Sequence, residues 1–586
     1  MALERIDWIV FAAYGVLTLG LGLWVARRAR GAGEFFLGGR HMPWWLLGTS
    51  MVATTFSTDT PNLVTDITRQ QGVAGNWVWW AFLLTGMLTA FVYAGMWRRT
   101  GITTDLEFYE LRYSGPAASF LRGFRAVYLG VLFNVMVMAS VTLAAIKIGG
   151  VLLGTSPLET VALGGALALV ISLTGGLASV VWTDLLLFCV AMVGAITSAI
   201  WALRHPDVGG LGALVERAAV ADKLALVPDL TDPAAFIPLL LVPLAVQWWA
   251  AWYPGAEPGG GGYAAQRMLA AKDEDHATGA AFFFNVAHYA LRPWPWILVA
   301  LASLVVFPDL DSLARAFPDI DPQVIGHDLA YPAMLTFLPN GLLGLVVGSL
   351  VAAYVSTIST HLNWGSSYIA HDLYRRFIAP DASDRDLLRV GRWSTLLLMI
   401  AAALLALALE NALQAFQILL QIGAGTGLLF ILRWFWWRIN AWSEIVAMVA
   451  SFGVALTFAF TDVGAGLESW QQLLAGVAIT TVAWLLATMF GPTTDVETLR
   501  SFVELVRPGG PGWRTFVTTD EPVPSWNVPG RLVCMLLGCA AVYSFLFATG
   551  MALYGRWPLA MLWLVLGVVS SWTLRRQWRN AATRVS

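Results

Sequence analysis

Charge is what this chain has least of. Only 12% of its 586 residues are Asp, Glu, Lys or Arg, and the two signs nearly cancel at a formal net charge of −2. A nucleic-acid partner requires a strongly basic face, so none is expected. Cysteine is scarce as well. Cys189, Cys534 and Cys539 stand in apolar stretches without metal-ligand spacing and read as helix-packing residues. The histidines, among them His41, His288, His361 and His371, form no HExxH set, which argues against a membrane-embedded enzyme. No strand and no Gly-Lys-Ser/Thr accompany the glycines of "RPGGPGW", so that stretch is a turn and not a phosphate loop. No basic segment precedes the first apolar run. Arg27, Arg28 and Arg30 follow it instead, which predicts a retained span with the first tail outside rather than a cleaved signal. No output domain is expected beyond residue 575, which disfavours a nutrient sensor.

What the chain has in abundance is apolar sequence, 58% of the total. Runs long enough to cross a bilayer recur from end to end, which predicts an all-α polytopic membrane protein of about fifteen spans. Arginine and lysine concentrate in alternate loops: Arg98 and Arg99, then Arg267 and Lys272, then Arg375 and Arg376, then Arg433 and Arg438, and finally Arg575, Arg576 and Arg579. The positive-inside rule then sets the N-terminus outside and the C-terminus in the cytoplasm, with the whole chain in a cell (inner) membrane. Between residues 491 and 529 lies a polar segment with Leu499, Phe502, Val503 and Val506 on one helical face, read as an interfacial helix docked on the inner side.

Two spans carry breaks. The second contains "TTFSTDTPNLVTD", where Pro61 disfavours helix at Thr60 and Asp59 is an acid at membrane depth. The seventh ends in "WYPGAEPGGGGY", with two prolines, five glycines and Glu257. The breaks lie five spans apart, and an odd offset inverts the second unit relative to the first. That is the mark of an inverted repeat unwound around a midplane site.

A third feature is "AAYVSTISTHLNWGSS", residues 352–367. Ala353, Ser356, Thr357 and Thr360 share one helical face. Hydroxyls there are suited to a hard cation such as Na+, or equally to close helix packing.

Several stretches together resemble the sodium:solute symporter family: "EFFLGGRHMPWWLLGTSMVAT", "TTDLEFYELRYSG", "TGGLASVVWTDLLL", "AAQRMLAAK", and "AAYVSTISTHLN" running into "SSYIAHDLY". The resemblance implies a LeuT-type 5+5 inverted repeat with one preceding and about four following helices. The divisions would be 1–43 for the leading helix and loop, 44–203 for the first repeat, 204–235 for an outer loop and 236–438 for the second repeat. Two added helices would fill 439–490, the cytoplasmic loop 491–529, and two C-terminal helices with a basic tail 530–586. It implies Na+ as coupling ion, held by backbone carbonyls matching Ala53, Phe56 and Ala353 and hydroxyls matching Ser356 and Thr357. Asp184, Ser359 and Thr360 match a second Na+ site found in some members.

The implied function is secondary active symport of a small polar organic solute in contact with membrane lipid, with the oligomeric state open. Candidate solute contacts are Asp59, Thr60, Trp79, Tyr253 and Glu257. Acids with aromatic neighbours suit a sugar or polyol, the favoured reading, and also an amine or amino acid. Thr60, Trp79 and Leu187 replace polar residues typical of sugar-transporting members, and "WYPGAEPGGGG" replaces a "YWGTNQ"-like run, which leaves the solute open. Proton coupling through Asp59, Glu257 or Asp184 is a further alternative. Arg292 and His288 read as interface or packing residues.

Overall fold

The computed structural model describes residues 3–26, 37–174, 177–409, 412–516 and 527–582. Arg27, Arg28 and Arg30, on which the first inner loop was argued, lie outside the described residues. Among the described residues the chain is helical, with isolated bridges and no strand. Twelve helices are long and apolar enough to cross a membrane. The expected count of about fifteen includes three rods that miss this criterion, because two are broken and one is short.

In chain order the rods are α1 (Arg5–Ala26), α2 (Trp44–Thr54), α3 (Asp59–Gln71), α4 (Val73–Thr100), α5 (Gly115–Leu153), α6 (Pro157–Thr174) and α7 (Leu177–Arg204). There follow α8 (Pro233–Ala250), α9 (Gly262–Ala270), α10 (Glu274–Val306), α11 (Leu342–Ile378) and α12 (Asp384–Ala406). The remainder are α13 (Ala412–Ile422), α14 (Gly427–Leu432), α15 (Ala441–Phe460), α16 (Ser469–Phe490), α17 (Val496–Val506), α18 (Val528–Leu553) and α19 (Trp557–Ala582).

Three of these boundaries depart from expectation, each for a local reason. The first break falls at residues 55–58 and not at Pro61. Pro61 sits in the first turn of α3, where a missing amide costs no helical bond. The ninth span, expected over 332–369, begins only at Leu342, because Pro339 and Gly341 separate it from a short helix Ala330–Leu335. The eleventh, expected as one helix over 412–436, is interrupted between α13 and α14.

That third interruption positions the second. The Trp252 amide donates to the Gly423 carbonyl at 3.2 Å, and the Gly425 amide to the Ala250 carbonyl at 2.9 Å. Unwound backbone at membrane depth must find partners inside the protein, and here two unwound stretches satisfy each other. Gly259 shows why the break is glycine-rich. Its φ is +78°, and a Cβ there would lie 2.6 Å from the Phe430 carbonyl oxygen.

Helix α2 packs between α7 and α10, and α11 crosses α7 and α1. The amphipathic helix α17 buries Leu499, Phe502, Val503 and Val506, the four residues expected to face inward. Its last carbonyl, that of Val506, takes a 2.6 Å bond from Arg99. The Arg112 guanidinium lies 4.9 Å from the Trp513 ring and donates to the carbonyls of Arg433 and Trp436, at 2.9 and 3.1 Å.

Candidate functional site

Helix α2 ends where the Phe56 amide turns back to the Ala53 carbonyl at 2.9 Å. Side chains then brace the opened segment. Thr60 Oγ1 donates to the Thr55 carbonyl at 2.9 Å, and Thr58 Oγ1 to the Val141 carbonyl at 2.9 Å. Arg292 on α10 is fully buried, so it is no interface residue. It donates to the Val52 carbonyl at 2.9 Å, to Thr55 Oγ1 at 3.1 Å and to His288 Nδ1 at 2.7 Å. A guanidinium only donates, so His288 Nδ1 is the acceptor and the ring proton of the neutral form sits on Nε2. Arg292 thus caps one carbonyl at the opened end of α2, that of Val52, and fixes the Thr55 hydroxyl beside it.

Opposite this segment runs the hydroxyl face of α11. Thr357 Oγ1 donates to the Thr54 carbonyl at 3.1 Å. Ser356 Oγ donates to Asp184 Oδ1, and Ser50 of α2 donates to Asp184 Oδ2 at 2.6 Å. Asp184 is fully buried and so ties α2, α7 and α11 together. Ala353 is buried on the same face. Ser359 Oγ is buried without a hydrogen-bond partner, whereas Thr360 Oγ1 accepts from Arg267 at 3.3 Å. Arg267, itself fully buried, also reaches Ser50 Oγ at 3.4 Å. The two expected ion sites are therefore one connected patch, joined through Ser356. Ser50 was missed, although its place one turn before Thr54 puts it on the same face of α2.

The donor set at Ala53, Phe56, Ala353, Ser356 and Thr357 fits a hard monovalent cation by its chemistry. It offers carbonyl and hydroxyl oxygens alone, and Thr357 reaches across to the opened end of α2.

A cavity lies beside this patch, between the first break and residues 253–256, with about 90 Å³ open to the centre of a water molecule. Asp59, Thr60, Trp79 and Tyr253 all line it. Asp59 Oδ1 is buried without a hydrogen-bond partner. Tyr253 stacks on Phe82 with ring centroids 5.8 Å apart, and Trp79 on Tyr289 at 5.8 Å. Glu257 is not on this wall. The positive-φ turn at Gly255 carries the chain past the cavity and sends Glu257 into a smaller adjoining pocket. His288, Tyr289, Tyr263 and His361 line the cavity and had not been assigned to it. His288 and Tyr289 sit on a π-helical turn, Ala287–Leu291, whose extra residue shifts the face they occupy and defeats a 3.6-residue reading.

The family model for the sodium:solute symporter family matches residues 35–453. The chain belongs to this family. Among curated relatives, the symporter is similar to the sodium/glucose cotransporter of Vibrio parahaemolyticus, 30% identical over 480 residues that cover 78% of this chain and 86% of that protein. It is also similar to the sodium/mannose cotransporter of Bos taurus, at 26% identity over 78% of this chain and 79% of that protein. Among solved structures, an outward-open, substrate-bound Na+-coupled sialic acid symporter aligns with a TM-score of 0.66 at 21% identity, covering 84% of this chain and 99% of that one. The fold is thus the LeuT type, and the protein is a multi-pass membrane symporter with Na+ as coupling ion. Its homologues are transporters, and no catalytic family is indicated.

Proposed function

We propose that this symporter imports a small polyhydroxylated solute, a sugar or polyol, through the cavity beside Asp59. The observation that carries this reading is the pairing of a buried, unpartnered carboxylate oxygen with stacked aromatic faces. Carboxylates accept hydroxyl protons, and rings cover the apolar face of a sugar. A glucose cotransporter at 30% identity supports the same class. The same carboxylate within aromatic walls also suits an amine, which is the second reading.

In this reading Ala53, Phe56 and Ala353 lend carbonyls to Na+, and Ser356 and Thr357 lend hydroxyls. Bound there, the ion supplies the downhill gradient that drives solute entry. Asp184 and Thr360 brace the patch from behind, since both Asp184 oxygens accept serine hydroxyls and Thr360 accepts from Arg267, while Ser359 keeps an unbonded hydroxyl beside them. The units 44–203 and 236–438 rock about the cavity to give alternating access. The N-terminus lies outside and the C-terminus in the cytoplasm. This is supported by the gathering of Arg98, Arg99, Arg112 and α17 at one end.

Uptake into proteoliposomes tests the reading, with labelled sugars, polyols, amines and amino acids, under an inward Na+ gradient or with Na+ replaced by choline. Sugar or polyol uptake that requires Na+ is expected. Ser356→Ala and Thr357→Ala are each expected to cut it about tenfold or more at wild-type protein levels, as befits loss of a charge-assisted contact. Unchanged Na+ activation in both variants would remove the ion assignment, and uptake confined to amines would move the solute to the second reading.

A further inference from the structure

Below the main cavity, and sharing Gly255, Ala256 and Phe284 with it, lies the pocket into which Glu257 is sent. Its volume is about 20 Å³, room for one water-sized body. Its walls include Gly86 and Thr89 of α4, Asn285 of α10 and Glu257 of the second break. Four polar atoms on these residues are buried and have no hydrogen-bond partner: Oε1 and Oε2 of Glu257, Oδ1 of Asn285 and Oγ1 of Thr89. Glu257 is 3% exposed and Asn285 1%. The Asn285 amide nitrogen is already committed to the Ala281 carbonyl at 2.7 Å. No lysine, arginine or histidine is among the lining residues.

A buried carboxylate with neither oxygen bonded, in a pocket that also holds an unmet amide oxygen and an unmet hydroxyl, is costly unless something positive meets it. A proton on Glu257 would remove its charge but leave the pocket unfilled. A bare ion meets the charge, fills the pocket and needs no more room than a water. Asp184 differs in kind, because both of its oxygens are already taken by serine hydroxyls.

We infer that this pocket is a second monovalent-cation site, of Na+ size, with Glu257 as its charged ligand and Asn285 and Thr89 as neutral oxygen ligands. The site stands apart from Ala53–Thr357 and does not depend on which solute is carried. It would make transport draw on two ions, one on the hydroxyl patch and one beneath the cavity floor. Its place between α4, α10 and the second break ties the floor to the cation.

The test is equilibrium binding of radioactive Na+ to the purified full-length protein in nanodiscs, without solute. The wild type is expected to bind two ions per chain, Glu257→Gln one, Thr357→Ala one, and the double variant none. Size-exclusion profiles establish that each variant is folded. Should Glu257→Gln fail to fold, Asn285→Ala and Thr89→Val address the same pocket, and each is expected to weaken the second ion about tenfold. A folded Glu257→Gln protein that binds as many ions as the wild type overturns the inference, as do neutral substitutions that leave both affinities unchanged. A wild type that binds a single ion, lost in Thr357→Ala, overturns it too. If Glu257→Gln removes one ion while Thr357→Ala removes none, the second site stands and the assignment at Thr357 falls.

Discussion

Lys147 and Asp328 meet at 2.7 and 2.8 Å with side-chain exposures of 0% and 1%. Their lost hydration is balanced only by each other. Removing one partner leaves a bare charge in the interior, which typically costs about 3–5 kcal/mol, whereas replacing both with apolar side chains is often neutral. Asp328→Asn and Lys147→Met are therefore each expected to lower the melting midpoint in detergent sharply. The double variant Lys147→Met/Asp328→Leu is expected to recover most of the loss. A double variant as unstable as the sum of the singles would show that the two side chains do not act as a pair. Such pairings were not legible in the sequence, because the partners lie 181 positions apart and no local period connects them. Asp59 and Glu257 were legible as acids placed where an acid is expensive. Their separate destinations were not, because the turn at Gly255 carries Glu257 away from the cavity that Asp59 lines.

At the scale of elements, the second break was visible as a run of glycine and proline, but the run does not say which glycines are needed. Gly259 and Gly261 make the contrast. Gly259 has φ +78° and a Cβ there would meet the Phe430 carbonyl oxygen at 2.6 Å. Gly261 is extended, with φ 174°, and the nearest atom to its added Cβ would be Glu257 Cβ at 3.5 Å. Left-handed backbone costs a side chain roughly 1–2 kcal/mol, and overpacking adds about 1–3 kcal/mol. Gly259→Ala is expected to abolish Na+-driven uptake and lower the melting midpoint, while Gly261→Ala keeps both near wild type. Equal effects in the two variants would refute the backbone argument. The docked face of α17 was readable because four apolar residues keep a helical period. The break at residues 423–426 was not readable, since "IGAGTG" is small and apolar and continues the hydrophobic run on either side. Its bonds to Trp252 and Ala250 and the positive φ of Gly425 reveal that it is open.

For the whole molecule, the family match ends at residue 453, yet three long helices follow, α16, α18 and α19, and the last two pair with each other. They are attached unequally. Helix α18 is bonded into the core: Tyr543 donates to the Trp80 carbonyl at 2.9 Å, and Trp294 donates to the Leu546 carbonyl at 2.8 Å. It buries Cys534, Met535, Cys539, Val542 and Leu546 against that core. Helix α19 leaves Trp557, Met561, Leu562, Val565, Val568, Val569 and Trp572 exposed, an apolar surface suited to lipid. Its main hold is a long packing face on α18, with Trp563 on Phe547 at 5.1 Å, while Trp578 on Phe91 at 5.4 Å touches the core directly. A chain ended after Arg556 therefore opens one face of α18, which lipid can cover, and leaves the bonds of α18 to the core in place. A chain ended after Asn527 strips the cover from Trp80 and Trp294 and leaves the Trp294 indole N–H without its acceptor, an omission worth about 1–3 kcal/mol before any lost packing. The first truncation is expected to give a monodisperse protein with Na+-driven uptake near wild type, and the second to aggregate on extraction. Equal behaviour of the two, read by size-exclusion profile and by uptake, would show that α18 and α19 act as one appended unit and not as a core helix followed by a lipid-facing one.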